Sequence, residues 1–242
     1  MEDRVDRKSV GTNPTAIVTG AGRGIGRAIA LELARRGYRL VLSARTQSEI
    51  DETARLCGGG IAVAGNIAER SQIDALADRA LREFGRIDVA IHNAGFAPVV
   101  SIPQMTDEQW HAVIDTNLSA AFYLARAVWP TFVNQKNGVL VNISSVAARD
   151  PFTGLGAYGA AKAGLNLLGL ALAREGHPIG VRVHTIAPGA VETAMFRQIL
   201  TPEQFSTDKT MDPAEIARLV GQCVAGDLKH TSGEVIYVHK TV

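Results

Sequence analysis

From Thr15 onward the chain alternates short β-branched runs with longer stretches whose apolar residues return at helical spacing. The runs lie at residues 16–19, 39–42, 61–64, 87–91, 139–143, 181–186 and 235–238. Most are almost continuously apolar, which is what strands covered on both faces require. With helices in the intervals, the pattern predicts an α/β fold built on a doubly wound, seven-stranded parallel sheet with helices on both faces. Helix ends are legible too. Thr106-Asp107-Glu108-Gln109 is a capping-box start to a helix running toward Trp129, where Pro130 disturbs it. Ser71 is expected to cap a helix over 72–84 that stops at Gly85. No linker or internal repeat divides the chain, so residues 14–242 are expected to form a single domain. Residues 1–13 are charged and poor in apolar groups, and are expected to be a flexible arm.

Charge excludes several classes of partner. Lys and Arg total 25 against 24 Asp and Glu, a net charge of +1, so no field draws the protein to nucleic acid or to an anionic membrane. A chain of 242 residues can bury a large core without staples. Cys57 and Cys223 are too few for a disulfide framework and lack metal-ligand spacing, so no metal is expected and the cytoplasm is the expected compartment. The N-terminal residues hold no apolar leader segment, and no run of about 18 apolar residues occurs. The expectation is a protein neither secreted nor membrane-spanning.

Chemistry first shows at Thr19-Gly20-Ala21-Gly22-Arg23-Gly24-Ile25-Gly26, between the first strand and the first helix. A pyrophosphate needs close backbone approach and free N–H groups at a helix N-terminus, and glycine permits both. The spacing is Gly-x-x-x-Gly-x-Gly rather than Gly-x-Gly-x-x-Gly. In a chain with 24 glycines the triplet alone is a weak signal, and a plain flexible loop is the alternative. Its strand-before, helix-after setting makes it specific.

Tyr158-Gly159-Ala160-Ala161-Lys162 follows, with Ser145 upstream. Positions i and i+4 share a helix face, so the Lys162 ammonium is expected near the Tyr158 phenol. A nearby cation favours phenolate and lowers a pKa of about 10 toward general acid/base work. Taken alone, Tyr-x-x-x-Lys is more often a packed tyrosine with a solvated lysine.

Together these segments resemble the short-chain dehydrogenase/reductase family from Thr15 to Val238. The resemblance is carried by TGAGRGIG at 19–26, HNAG at 92–95, Asn117 within DTNLSA, VNISS at 141–145, YGAAK at 158–162 and APG at 187–189. It implies a Rossmann-type sheet in the order 3-2-1-4-5-6-7 with the active site at the carboxyl ends of the strands. Homo-oligomers, tetramers or dimers built on the two long central helices, are implied as well. By the same resemblance Tyr158 is the general acid/base, and Lys162 lowers its pKa and holds the nicotinamide ribose. Ser145 steadies the substrate carbonyl oxygen, and the backbone carbonyl of Asn117 positions a water of the proton relay. Gly20, Gly24, Ile25 and Gly26 cradle the cofactor; Asn93, Ala94 and Gly95 line its cleft. Asn66 and Ile67 contact adenine, and Pro188, Gly189, Val191 and Thr193 grip the carboxamide end. His92 replaces a more usual asparagine and is read as a hydrogen-bonded strand-end residue.

Cofactor choice rests on the end of the second strand. An NAD enzyme of this fold usually places a carboxylate about 20 residues after the glycine loop. Ala44 stands there instead, and Arg45 with Arg23 can meet a 2′-phosphate, so the expected cofactor is NADP, as NADPH. Residues 96–105, 146–157 and 194–210 are the expected substrate walls. The last is a candidate lid, and its Met195, Phe196, Ile199, Leu200 and Phe205 suit either an apolar substrate or lid packing. Relatives that reduce 3-oxoacyl groups on an acyl carrier protein tend to carry basic residues near the ends of the central helices. Lys136 fits one such place but Ile179 stands at the other, which argues against a carrier-bound substrate. The leading expectation is therefore an NADPH-dependent carbonyl reductase, reversible as an alcohol dehydrogenase, acting on a small carbonyl or alcohol substrate. The alternative is a non-catalytic NADP-binding sensor or scaffold, which has no chemical need of the tyrosine–lysine pair.

Overall fold

The structure, a computed structural model, describes residues 13–240. Twelve of the thirteen residues expected to form an arm, and Thr241 and Val242 at the other end, lie outside the described residues. The strands are β1 (Thr15–Thr19), β2 (Arg39–Ala44), β3 (Ile61–Ala64), β4 (Val89–His92), β5 (Gly138–Ile143), β6 (Val181–Pro188) and β7 (Val235–Val238). They form one sheet in the order β3-β2-β1-β4-β5-β6-β7, with every pair parallel.

Among the described residues there are eight α-helices, α1 (Gly24–Arg35), α2 (Gln47–Leu56), α3 (Arg70–Phe84), α4 (Asp107–Ile114), α5 (Ala120–Gln135), α6 (Gly156–Gly176), α7 (Ala194–Ile199) and α8 (Pro213–Ala225), and the longer ones cover both faces of the sheet. Side chains alternate across a strand, so each strand feeds two cores. Ala16, Val18, Leu40 and Leu42 pack with Ile29 and Leu33 of α1 and Val220 of α8. Ile17 and Val41 turn the other way, onto Leu76 of α3 and Leu124 and Phe132 of α5. This two-sided burial is why the strands read as continuous apolar runs.

Two sequence expectations about helices are corrected. Thr106 does form a capping box with Gln109, but the helix toward Trp129 is not continuous, and the disturbance expected at Pro130 does not interrupt it. A π-turn at Asp115–Ser119 interrupts it, and α5 then continues through Pro130 to Gln135. Pro130 lies on the exposed side of α5 while Val128 and Phe132 are fully buried, so packing outweighs the missing N–H. Ser71 is not a cap. The helix α3 begins at Arg70 after Glu69, with no side-chain cap. A backbone turn starts it instead, in which the Glu69 N–H donates to the Asn66 carbonyl at 3.0 Å.

Candidate active site

At the carboxyl end of β1 the chain turns on Gly20 and Gly24, whose φ values of +65° and +55° favour glycine. Gly26 is required for another reason: a Cβ there would run into the Gly20 carbonyl oxygen and the Asn93 amide. Asn93 Nδ2 donates to the Thr19 and Gly20 carbonyls at 3.0 and 3.1 Å, so the end of β4 holds the loop in shape. Arg23 precedes α1 in extended conformation and no side chain caps the helix, which leaves its first N–H groups for an anion.

A cleft of about 520 Å³ runs from this loop across the strand ends. Every cofactor-site residue expected from the sequence lines it, including Arg23, Arg45, Asn66, Ile67, Gly95, Pro188, Gly189, Val191 and Thr193. The glycine cradle, the uncapped helix and the volume of the cleft fit a dinucleotide. Ser145, Tyr158 and Lys162 line the cleft together, the Ser145 side chain hydrogen-bonded to the Tyr158 phenol and Lys162 Nζ over the tyrosine ring.

Asn117 sits behind the wall, fully buried in the π-turn. Its side chain donates to the Phe96 carbonyl at 2.7 Å and the Val113 carbonyl at 2.9 Å, and accepts from the Phe96 N–H at 3.3 Å. Those bonds replace regular helical ones and tie the π-turn to the strand β4 loop. His92, 1% exposed, brings Nε2 to 3.3 Å from the Asn117 carbonyl oxygen. A carbonyl only accepts, so Nε2 carries the hydrogen; His92 is the hydrogen-bonded strand-end residue that was expected. Burial and the Lys162 charge hold its pKa down at about 3, against the pull of the Asn117 bond.

The electrostatics of Tyr158 depart from expectation. Burial pushes its phenol up to about 12, and only the Ser145 hydroxyl pulls the other way. Lys162 Nζ stands 5.6 Å from the Tyr158 ring centre and donates instead to the Ile143 carbonyl at 2.8 Å. Burial also lowers its own pKa to about 7, and Lys162 does not by itself pull the phenol down.

The sequence reading did not single out two features. Glu49 lines the cleft beside Arg23, their side chains 3.9 Å apart. Beyond β6, Arg197 pairs with both oxygens of Glu192 and donates to the Phe205 carbonyl at 2.6 Å, while Thr210 Oγ1 donates to Glu192 at 2.9 Å. That cluster latches the candidate lid. Phe196 and Phe205 meet edge to face with centroids 5.5 Å apart, and both also line the cleft with Met195, Ile199 and Leu200. Lid packing and an apolar cleft wall are thus made by the same side chains. Charge pairs five residues apart in a mixed stretch carry no periodic signal, which is why the latch went unread.

Comparison with known proteins identifies the scaffold. The sequence profile of the short chain dehydrogenase family matches residues 14–204. The chain is a short-chain dehydrogenase/reductase. As such it is an oxidoreductase of a family built on a nicotinamide-cofactor fold. This short-chain dehydrogenase/reductase is similar to the 3-oxoacyl-(acyl-carrier-protein) reductase FabG of Escherichia coli strain K12, with 34% identity over 232 residues, 93% of this chain and 95% of that one. The Staphylococcus aureus strain Mu50 protein of the same name is 30% identical over 238 residues, 93% of this chain and 96% of that one. Among solved structures, a protein of Sinorhizobium meliloti 1021 provisionally described as a short-chain alcohol dehydrogenase superposes with a TM-score of 0.86 at 28% identity, covering 93% of this chain and 94% of that one. Levodione reductase shares the fold, with a TM-score of 0.88 at 24% identity over 94% of this chain and 96% of that one.

Proposed function

We propose that this protein is an NADPH-dependent carbonyl reductase, working reversibly as an alcohol dehydrogenase. The observation that carries the reading is the convergence of Ser145, Tyr158 and Lys162 in a cleft that is also lined by the glycine loop and the uncapped N-terminus of α1. When bound there, the nicotinamide cofactor supplies the hydride. Gly20, Gly24, Ile25 and Gly26 would hold its pyrophosphate, Asn66 and Ile67 its adenine, and Pro188, Gly189, Val191 and Thr193 its carboxamide end. Arg23 and Arg45 would meet the 2′-phosphate.

The chain's own groups handle oxygen and proton. A carbonyl reduced at carbon gathers negative charge on oxygen, and the Ser145 and Tyr158 hydroxyls are placed together to donate to it. Tyr158 gives up its proton there. A phenol held near 12 remains protonated through the neutral range, which suits the donor role in reduction. Lys162 would hold the ribose, and its charge near the departing proton favours the phenolate that results. Behind it, the Asn117 carbonyl accepts from His92 and keeps a second lone pair for a relay water.

The substrate in this reading is a small ketone or secondary alcohol with an apolar body, because Phe96, Leu155, Phe196 and Phe205 wall the cleft beyond the hydroxyl pair. A 3-oxoacyl group remains within the class, as the named relatives suggest. A carrier-bound form is disfavoured by Ile179 in place of a basic residue. The groove on α5 and α6 that exposes Phe122 and Val133 supports a homo-oligomer, dimer or tetramer, through the central helices. The two free thiols, Cys57 and Cys223, support a cytoplasmic location. Cofactor oxidation followed against a panel of alicyclic ketones, 3-oxoesters and 3-oxoacyl thioesters, with NADPH and NADH in parallel, tests the proposal. No turnover across the panel with either cofactor would favour the sensor or scaffold reading instead.

A further inference from the structure

Folding brings a carboxylate to the end of β2 that the order of residues does not place there. Glu49 stands in the first turn of α2, after the N-cap Thr46. The Thr-x-x-Glu spacing would ordinarily form a capping box, with the acid bent back onto the cap's own N–H. Here no side-chain bond caps the helix. The acid turns to the glycine loop instead. A side chain built on Gly22 would meet Glu49 Oε2 at 3.0 Å and Ala44 Cβ at 3.2 Å, so the carboxylate and the end of β2 both close on Gly22 of the loop. Its other oxygen lies 3.9 Å from Arg23 Nη1.

This placement is braced from beneath. Arg27 donates to the carbonyls of both Gly22 and Glu49. The buried Thr53 hydroxyl lies 3.0 Å from the Ala21 carbonyl and 3.0 Å from that of Glu49. Loop and helix turn are therefore one unit, and the acid lines the cleft together with Ala44 and Arg45, at the strand end from which an NAD enzyme of this fold supplies its ribose-binding carboxylate.

We propose that Glu49 sets the cofactor discrimination of this cleft: its carboxylate offsets the Arg23 charge, opposes a 2′-phosphate and offers an acceptor to a free 2′-hydroxyl. The wild type then separates NADPH from NADH far less than Arg23 and Arg45 alone would dictate. The inference rests on reading the cleft as a dinucleotide site with those two arginines at its ribose end.

Binding measured without turnover tests it. Adenosine 2′,5′-bisphosphate, AMP, NADPH and NADH are titrated into the wild type and the Glu49→Gln, Glu52→Gln and Arg45→Ala variants. Glu49→Gln keeps the shape and removes the charge, so the bisphosphate and NADPH should bind about tenfold tighter while AMP and NADH bind no tighter. Glu52→Gln removes the same charge from the outer side of α2, where Glu52 pairs with Arg55 at 2.8 Å, and should shift each ligand by no more than about twofold. An unchanged preference in Glu49→Gln, or equal tightening in Glu52→Gln, overturns the proposal. Weaker bisphosphate binding in Glu49→Gln also overturns it, by making Glu49 a brace for Arg23. Arg45→Ala keeps the two readings apart: if it leaves bisphosphate affinity untouched, the ribose-end reading has failed, whatever Glu49 does.

Discussion

Lys162 Nζ donates to the Ile143 carbonyl at 2.8 Å, joining the first turns of α6 to the end of β5. Burial leaves this amine a pKa of about 7, so at about pH 8 much of the cofactor-free protein carries it neutral. Ribose hydroxyls that accept from Nζ favour the charged form. NADPH binding at about pH 8 should therefore take up a fraction of one proton, read by calorimetry in buffers of different ionisation enthalpy. Lys162→Met should bind NADPH more weakly and take up none; unchanged uptake would assign the proton elsewhere.

Tyr158→Phe removes the donor and keeps the ring. Turnover should fall by a factor on the order of 10² to 10⁴, with NADPH affinity nearly unchanged. Because the phenol is held up at about 12, the wild-type reduction rate should not decline through the neutral range from loss of this proton. Ordinary turnover in the Phe variant would sink the assignment.

The lid latch makes a separable prediction. Arg197→Ala removes the partner that Glu192 and the Phe205 carbonyl share. Protease nicking between residues 197 and 210 should quicken, and KM should rise several-fold with a smaller change in kcat. NADPH with a substrate analogue should slow the nicking in wild type more than in the variant. Identical cleavage of all four samples would mean that the segment packs statically.

His92 and His184 are held near 3 and 4, below the ordinary 6.5, chiefly by burial. As pH falls below about 6.5 the unfolded chain binds protons that the folded chain refuses, so stability drops through the window down to about 3. His92→Asn removes one of the two groups. Thermal melts should then show a shallower fall in Tm between about pH 6 and 4, and a slope identical to wild type would show that His92 does not drive the acid loss.

Most of the fold was legible because it is written in local periodicity. Strands β1, β2, β4 and β5 hold apolar residues on successive positions because both their faces are covered, and that reads directly from the chain. Thr106 capped its helix as its spacing required, since a capping box is closed within four residues. The misreadings at Pro130 and Ser71 have the opposite cause. Pro130 is tolerated because Val128 and Phe132 are packed, and α3 starts on a turn from Asn66, whose side chain accepts from the Ala68 N–H at 3.3 Å four residues ahead of the helix rather than at its cap. The π-turn depends on Asn117 reaching Phe96, a bond between segments that only folding brings together.

The same division holds at the site. By itself the chain determined the glycine loop, the Tyr158–Lys162 spacing and the alternation that sets both at the ends of parallel strands, because each depends on neighbours a few residues apart. Tertiary structure alone decided the charges around those groups. It turned Glu49 away from its own helix cap toward Gly22 and Arg23 of the glycine loop, put His92 under the Asn117 carbonyl, and buried Lys162 against Ile143. Charge and proton affinity depend on distance and burial in space, and a linear sequence contains neither until the loops close.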